Sequence, residues 1–148
     1  TSATTFSPYS TITRAQAVTF LWRAKGSPEP TITDNPFTDV AAERYYYKAV
    51  LWAYENGITA GVGDNCFGPM QGCTRAQILT FLWIAMDSPQ VETEVTFEDV
   101  QPGAYYYNAV AWAVKENITV GVGGGTFGVH LPCTRAQVVT FLYGVRAD

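Results

Sequence analysis

CTRAQILTFLW, residues 73–83, decides the fold, because near-copies stand at 12–22 (ITRAQAVTFLW) and at 133–143 (CTRAQVVTFLY). Each copy opens with a capping box. Thr13, Thr74 and Thr134 take the N-cap position, and Gln16, Gln77 and Gln137 three residues on return a side-chain bond to the cap. The apolar positions that follow (Ala17, Val18, Phe20, Leu21 and Trp22 in the first copy) cover most of the helix surface. A helix apolar on most sides is buried among other elements. Ser27-Pro28 and Ser88-Pro89 are expected to stop the first two copies.

Outward from these helices the self-similarity continues, as in repeat architectures. FTDV at 37–40 returns as FEDV at 97–100, YYYKAVLWAYENGIT at 45–59 as YYYNAVAWAVKENIT at 105–119, and GVGDNCFGP at 61–69 as GVGGGTFGV at 121–129. The opening TSATTFSP aligns with VGDNCFGP. The organisation expected is a single module: 1–28 as the second half of a first unit, 29–89 as a second unit and 90–148 as a third.

Each full unit reads as helix, loop, helix. In the first helix Tyr46, Ala49, Val50 and Ala53 share one stripe. Gly57 is expected to end it in the left-handed conformation, with Ile58 packing beyond, and Asn117-Ile118 repeats the device with the next most tolerant residue. In the glycine-rich loops Phe67 and Phe127, like Phe6, are expected to plug the loop onto the core. Three equivalent buried helices suggest an all-α, pseudo-threefold module: three long central helices from the TRAQ segments, shorter outer helices and Gly-rich loops.

Composition narrows the function. The 148 residues are 47% apolar with a net charge of −4, which suits one compact domain and argues against a broad nucleic-acid footprint. No apolar run approaches the length of a membrane span and no signal peptide is visible, so no membrane insertion is expected. His130 lies three residues before Cys133 without the second pair that a zinc site requires, so no metal or other cofactor is expected. Cys66 and Cys73 can pair, or all three cysteines can be small buried thiols. One histidine, and Asp39 and Asp99 sixty residues apart, assemble no catalytic constellation, so the chain does not read as an enzyme.

The arginines carry the functional signal. Arg14, Arg75 and Arg135 sit at the first helical position, where the helix end is already electropositive. An anion shared by the guanidinium and free helix N–H groups would relieve that conflict; a carboxylate such as Asp39 or Asp99 is the alternative partner.

F-x-D-V, a helix ending in G-I, G-x-x-x-x-x-F-x-P and then a T-R-A-E-like helix start together resemble the S-layer homology domain family, over essentially the whole chain. The resemblance implies a helical module that holds an extracellular protein non-covalently on the bacterial cell wall, through an anionic and often pyruvylated secondary wall polysaccharide bound in grooves between repeats. It assigns Arg14, Arg75 and Arg135 to the anionic group with Thr13, Thr74 and Thr134 beside them, Trp52 and Trp112 to sugar stacking (packing against the neighbouring long helix being the alternative for both), and Gly61 and Gly121 to close ligand approach. Partial exposure of the triple tyrosines 45–47 and 105–107 would suit a sugar-contacting face. Repeated weak sites suit multivalent attachment. The family's glutamate is glutamine in all three copies, and the first unit lacks its front helix, which leaves room for an oligomer to complete it. The alternative is a protein–protein or self-assembly module of a surface layer.

Overall fold

The computed structural model describes residues 10–118 and 125–146. Phe6 and Gly121, like Gly123 and Gly124, lie outside them. Among the described residues five helices form: α1 (Arg14–Ala24), α2 (Tyr47–Glu55), α3 (Arg75–Ala85), α4 (Tyr107–Lys115) and α5 (Arg135–Arg146). None is long and apolar enough to cross a membrane.

The capping boxes close as expected. Thr13 and Thr74 accept from the Gln16 and Gln77 N–H groups, and the glutamine side chains accept from the cap N–H in return. Thr134 and Gln137 make the same pair at α5, 3.2 and 2.8 Å. Gly57 and Asn117 follow α2 and α4 with φ of 71° and 57°, and the next N–H groups, of Ile58 and Ile118, reach back to Ala53 and Ala113. Ile58 and Ile118 are buried, as are Phe67 and Phe127 at 0% exposure. Burying a side chain of that size contributes about 1.5–3 kcal/mol. The Trp22 and Trp83 indoles donate to the Pro28 and Pro89 carbonyls at 2.7 and 2.9 Å, folding each linker back onto the end of its helix.

The helix starts are joined by a closed circuit of backbone bonds. The Ile12 N–H donates to Cys133 O (2.9 Å), the Cys133 N–H to Cys73 O (2.8 Å) and the Cys73 N–H to Ile12 O (2.8 Å). Residues sixty apart in sequence therefore meet in one ring.

The expected all-α, pseudo-threefold module with three long central helices is corrected. The TRAQ helices have only 11, 11 and 12 residues against nine in each outer helix. Helices take in fewer than half of the described residues, and turns and isolated bridges such as Thr13–Gly72 and Thr74–Pro132 carry much of the remainder. The three TRAQ helices are also unequal. Among the described residues, α2 packs on α1, α4 packs on α3, and α1 touches both α3 and α5, while α5 makes no contact of comparable extent with any described helix but α1. The physical cause is arithmetic: two front segments are shared among three core helices.

Candidate functional site

The residue after each cap is an arginine, and the structure shows how it is tolerated there. Loop carbonyls converge on the helix start. The Arg14 and Ala15 N–H groups donate to Gln71 O and Pro69 O, the Arg75 and Ala76 N–H groups to Leu131 O and Val129 O, and the Arg135 N–H to Ser10 O. With the cap hydroxyls on the Gln16 and Gln77 N–H groups, the first-turn donors are used inside the protein. The free helix N-terminus expected as an anion cradle is thus occupied by backbone oxygens, which supply the negative partial charge the sequence reading assigned to a ligand.

The Arg14 side chain runs inward, and the residue is 5% exposed. Nε donates to Phe67 O at 2.8 Å and Nη2 to Thr59 Oγ1 at 3.1 Å. The guanidinium carbon lies 4.9 Å from the Phe67 ring centroid and 5.5 Å from that of Phe81, so two ring faces sandwich it. Arg75 has the same setting between Phe127 and Phe141, at 4.9 and 5.6 Å. Burial lowers the pKa of both arginines; the nearby Asp39 and Asp99 charges act in the opposite sense. Asp39 makes no ion pair with Arg14. Asp39 instead accepts from the Phe67 and Gly68 N–H groups (2.8 and 2.9 Å), and Asp99 from those of Phe127, Gly128 and Val129 (2.7, 2.7 and 3.1 Å).

Nη1 of Arg14 bonds no described residue and is not among the buried polar atoms lacking a partner. Beside the side chain lies an open recess of about 300 Å³, lined by Arg14, Thr59, Gly61, Gln77, Thr80, Phe81 and Tyr105, among others. Distant stretches of the chain build it: α1 supplies the arginine, residues 59–61 and the face of α3 the middle, and Tyr105 the far side. That tyrosine is 62% exposed and stands edge-on to Tyr106 at 5.1 Å. Tyr45, its counterpart, is also exposed, and the Arg135 charge reaches it.

The remaining expected site residues fall elsewhere. Trp52 and Trp112 are buried at 7% and 5% exposure, so the ring faces assigned to a sugar are spent on the core. Gly61 touches the recess, but its requirement is internal. At φ +94° an added Cβ would stand 2.5 Å from Cys66 O and 2.7 Å from the Phe37 ring. The cap threonines are committed to their helices. Cys66 and Cys73 are not bonded: Cys66 lies near Thr38 and Asp64, and Cys73 is buried. No cluster of metal-binding side chains occurs among the described residues. Thr59, Gln77, Thr80 and Phe81 were missed as a group. Only Tyr105 carried a signal, as part of an aromatic triplet too polar to bury whole.

Comparison with known proteins agrees with this architecture. The sequence pattern of the S-layer homology domain matches residues 36–79 and 96–139. The "Cell surface protein" of Thermoanaerobacter kivui is 33% identical over 113 residues, 73% of this chain and 15% of that protein. The "Surface-layer 125 kDa protein" of Lysinibacillus sphaericus is 29% identical over 108 residues, again 73% of this chain but 9% of that one. An "Endoglucanase" of a Bacillus species is 42% identical over 78 residues, 53% of this chain and 8% of the enzyme. The chain therefore spans a small part of each relative, and a catalytic name belongs to the longer protein that bears it. With two matched copies sixty residues apart and relatives at the bacterial surface, the chain belongs to the S-layer homology domain family of cell-surface modules.

Proposed function

We propose that this module holds its parent protein on the cell wall by binding an anionic wall polysaccharide, without covalent attachment, in the recess beside Arg14. The observation that carries this reading is the setting of that guanidinium. Its inner donors are fixed by Phe67 and Thr59, its outer amino group lacks a partner among the described residues, and an exposed tyrosine lines the same recess. A carboxylate docking there meets a pre-oriented cation in a partly dry site, where charge-assisted bonds are strongest. It also offsets the desolvation that weakens the arginine's hold on its proton. A carboxylate of the kind found on a pyruvylated sugar fits this chemistry. Tyr105 supplies the apolar face for the sugar ring, in place of Trp52 and Trp112.

We read residues 1–28 as half a unit, and 29–89 and 90–148 as whole ones; the equal spacing of the two matched stretches supports that division. Arg75 and Arg135 repeat the chemistry of Arg14 in settings of their own, which suits several weak contacts acting together.

Sedimentation with purified cell wall tests the reading. Binding to intact wall should be lost after acid extraction of its anionic polymer, and Tyr105→Ala should weaken it with no change in melting temperature. Equal binding to extracted wall would leave surface self-assembly as the better account.

A further inference from the structure

Ile12, Cys73 and Cys133 each stand directly before a capping threonine, and the closed circuit of backbone bonds runs through these three residues. The bridges Thr11–Thr134, Thr13–Gly72 and Thr74–Pro132 are all antiparallel. One step along each pair sets Ile12 opposite Cys133, Ile12 opposite Cys73, and Cys73 opposite Cys133. Residues directly opposite on an antiparallel pair project from the same face, with their Cβ atoms close. All three side chains accordingly end in the core, Ile12 and Cys133 fully buried and Cys73 nearly so. Two thiols thus share a position that the third copy fills with a hydrocarbon. Opposed residues joined by a backbone bond lie about 5.5 Å apart at Cα, inside the roughly 4.4–6.8 Å that a disulfide spans. The Cys133 N–H bond to Cys73 O, at 2.8 Å, puts this pair in that class. Cys66, the partner that sequence spacing offers to Cys73, stays in its loop beside Thr38 and Asp64.

We infer that Cys73 and Cys133 are a disulfide-forming pair, which closes as the chain folds in the presence of a low-molecular-weight disulfide and staples the start of α3 to the start of α5. Each protein thiol gives up one proton and one electron as the S–S bond forms. The small disulfide takes up both protons and both electrons and leaves as two thiols. The hydrogen bond that Cys133 Sγ surrenders, to Thr134 O at 3.7 Å, is a weak one. Timing follows from burial. In the folded, reduced chain both thiols stay protonated and out of reach, so exchange is slow there; once closed, the bond is shielded from reductants in the same way. The redox state is therefore set during folding. Because the bond closes a loop of sixty residues, it restricts the unfolded chain and stabilises the fold.

The test refolds the reduced, urea-unfolded chain with oxidised glutathione, blocks remaining thiols by alkylation and digests with trypsin for mass spectrometry. Fragment 116–135 should be recovered bonded to fragment 49–75 through Cys73, with Cys66 outside the bond. The melting temperature should stand at least about 5 °C above that of the reduced chain. Native reduced protein given the same reagent should form the bond at least tenfold more slowly than refolding protein. Cys66→Ser, at a partly exposed site, should leave both the bond and the higher melting temperature in place. Cys133→Ala should lose both, and if that variant does not fold, the Cys66→Ser chain decides. Recovery of Cys73 and Cys133 as alkylated thiols overturns the inference, as does a bond that includes Cys66. A bonded chain that melts no higher than the reduced one overturns it equally.

Discussion

Asp39 and Arg14 form no ion pair, yet both are fastened to one residue: the Phe67 N–H donates to Asp39 Oδ1 at 2.8 Å, and the Phe67 carbonyl accepts from Arg14 Nε at 2.8 Å. The carboxylate therefore orients the cation through a peptide rather than by contact. Asp39→Ala leaves the Phe67 and Gly68 N–H groups without their acceptor. Leaving such donors unmade costs about 1–3 kcal/mol each when buried. We expect about 2 kcal/mol in total, because the site is partly solvated, read as a lower urea midpoint. Wall binding should fall further than stability alone explains.

Two glycines four residues apart after α2 separate backbone need from packing need. Gly57 has φ +71° and open space around an added Cβ, whereas Gly61 meets Cys66 O and the Phe37 ring. Gly57→Asn should cost under about 1 kcal/mol, since asparagine tolerates the left-handed region and Asn117 already occupies it in the other copy. Gly61→Ala adds a steric clash with backbone and should cost about 3 kcal/mol or more. Thermal unfolding of the two variants gives the comparison.

This contrast also marks what sequence could reveal. Caps, helix ends and plug residues are local decisions: Thr13 with Gln16, Gly57 with Ile58, and Phe67 in its loop were all readable from spacing. The Arg14 recess was not, because Thr59 and Tyr105 come to it from distant stretches of the chain and nothing local records their meeting. The same limit explains the arginines. Their position conflicts with the helix dipole, but the relief comes from the carbonyls of Gln71 and Pro69, about sixty residues away in sequence. Unequal packing of α5 likewise follows from how many front segments the chain carries, not from any helix taken alone.

Asp99 makes stability depend on acid. Burial pushes its carboxyl upward, but bonds from the Phe127, Gly128 and Val129 N–H groups prevail and hold it below the usual range. A group depressed in the folded state stabilises it at pH above the unfolded value, about 3.9, and loses that contribution as pH falls through the folded value. Urea midpoints measured from pH 5 downward should therefore drop for the native chain. Asp99→Asn should start lower at pH 5 and show a shallower decline; an unchanged slope would contradict the role given to those three bonds.

The thiols should sort by burial. Cys73 and Cys133 are buried, and desolvation pushes each thiol up to about 12, so neither presents a thiolate near neutral pH. Cys66 is partly exposed in its loop. A disulfide reagent at pH 8 should modify one thiol per native molecule and three after unfolding. Recovery of fewer than three from unfolded, unreduced protein would point to a disulfide instead.

In the proposed wall-binding recess Arg14 supplies the cation and Tyr105 the ring, and substitutions separate the two. Arg14→Lys keeps the charge but loses the planar fork that reaches Phe67 O and Thr59 Oγ1 together, and the flat face that fits between the Phe67 and Phe81 rings. It should cost about 2 kcal/mol of stability and weaken wall binding at least tenfold. Tyr105→Phe keeps the ring and removes only the hydroxyl, while Tyr105→Ala removes both. Because the ring is mostly exposed, neither change should move the melting temperature by more than about 2 °C. If the ring carries the sugar contact, Phe retains most of the binding and Ala loses it; if the hydroxyl carries it, the two variants fail alike. Wall sedimentation run beside calorimetric melting distinguishes these outcomes, and binding unchanged in both tyrosine variants would remove Tyr105 from the site.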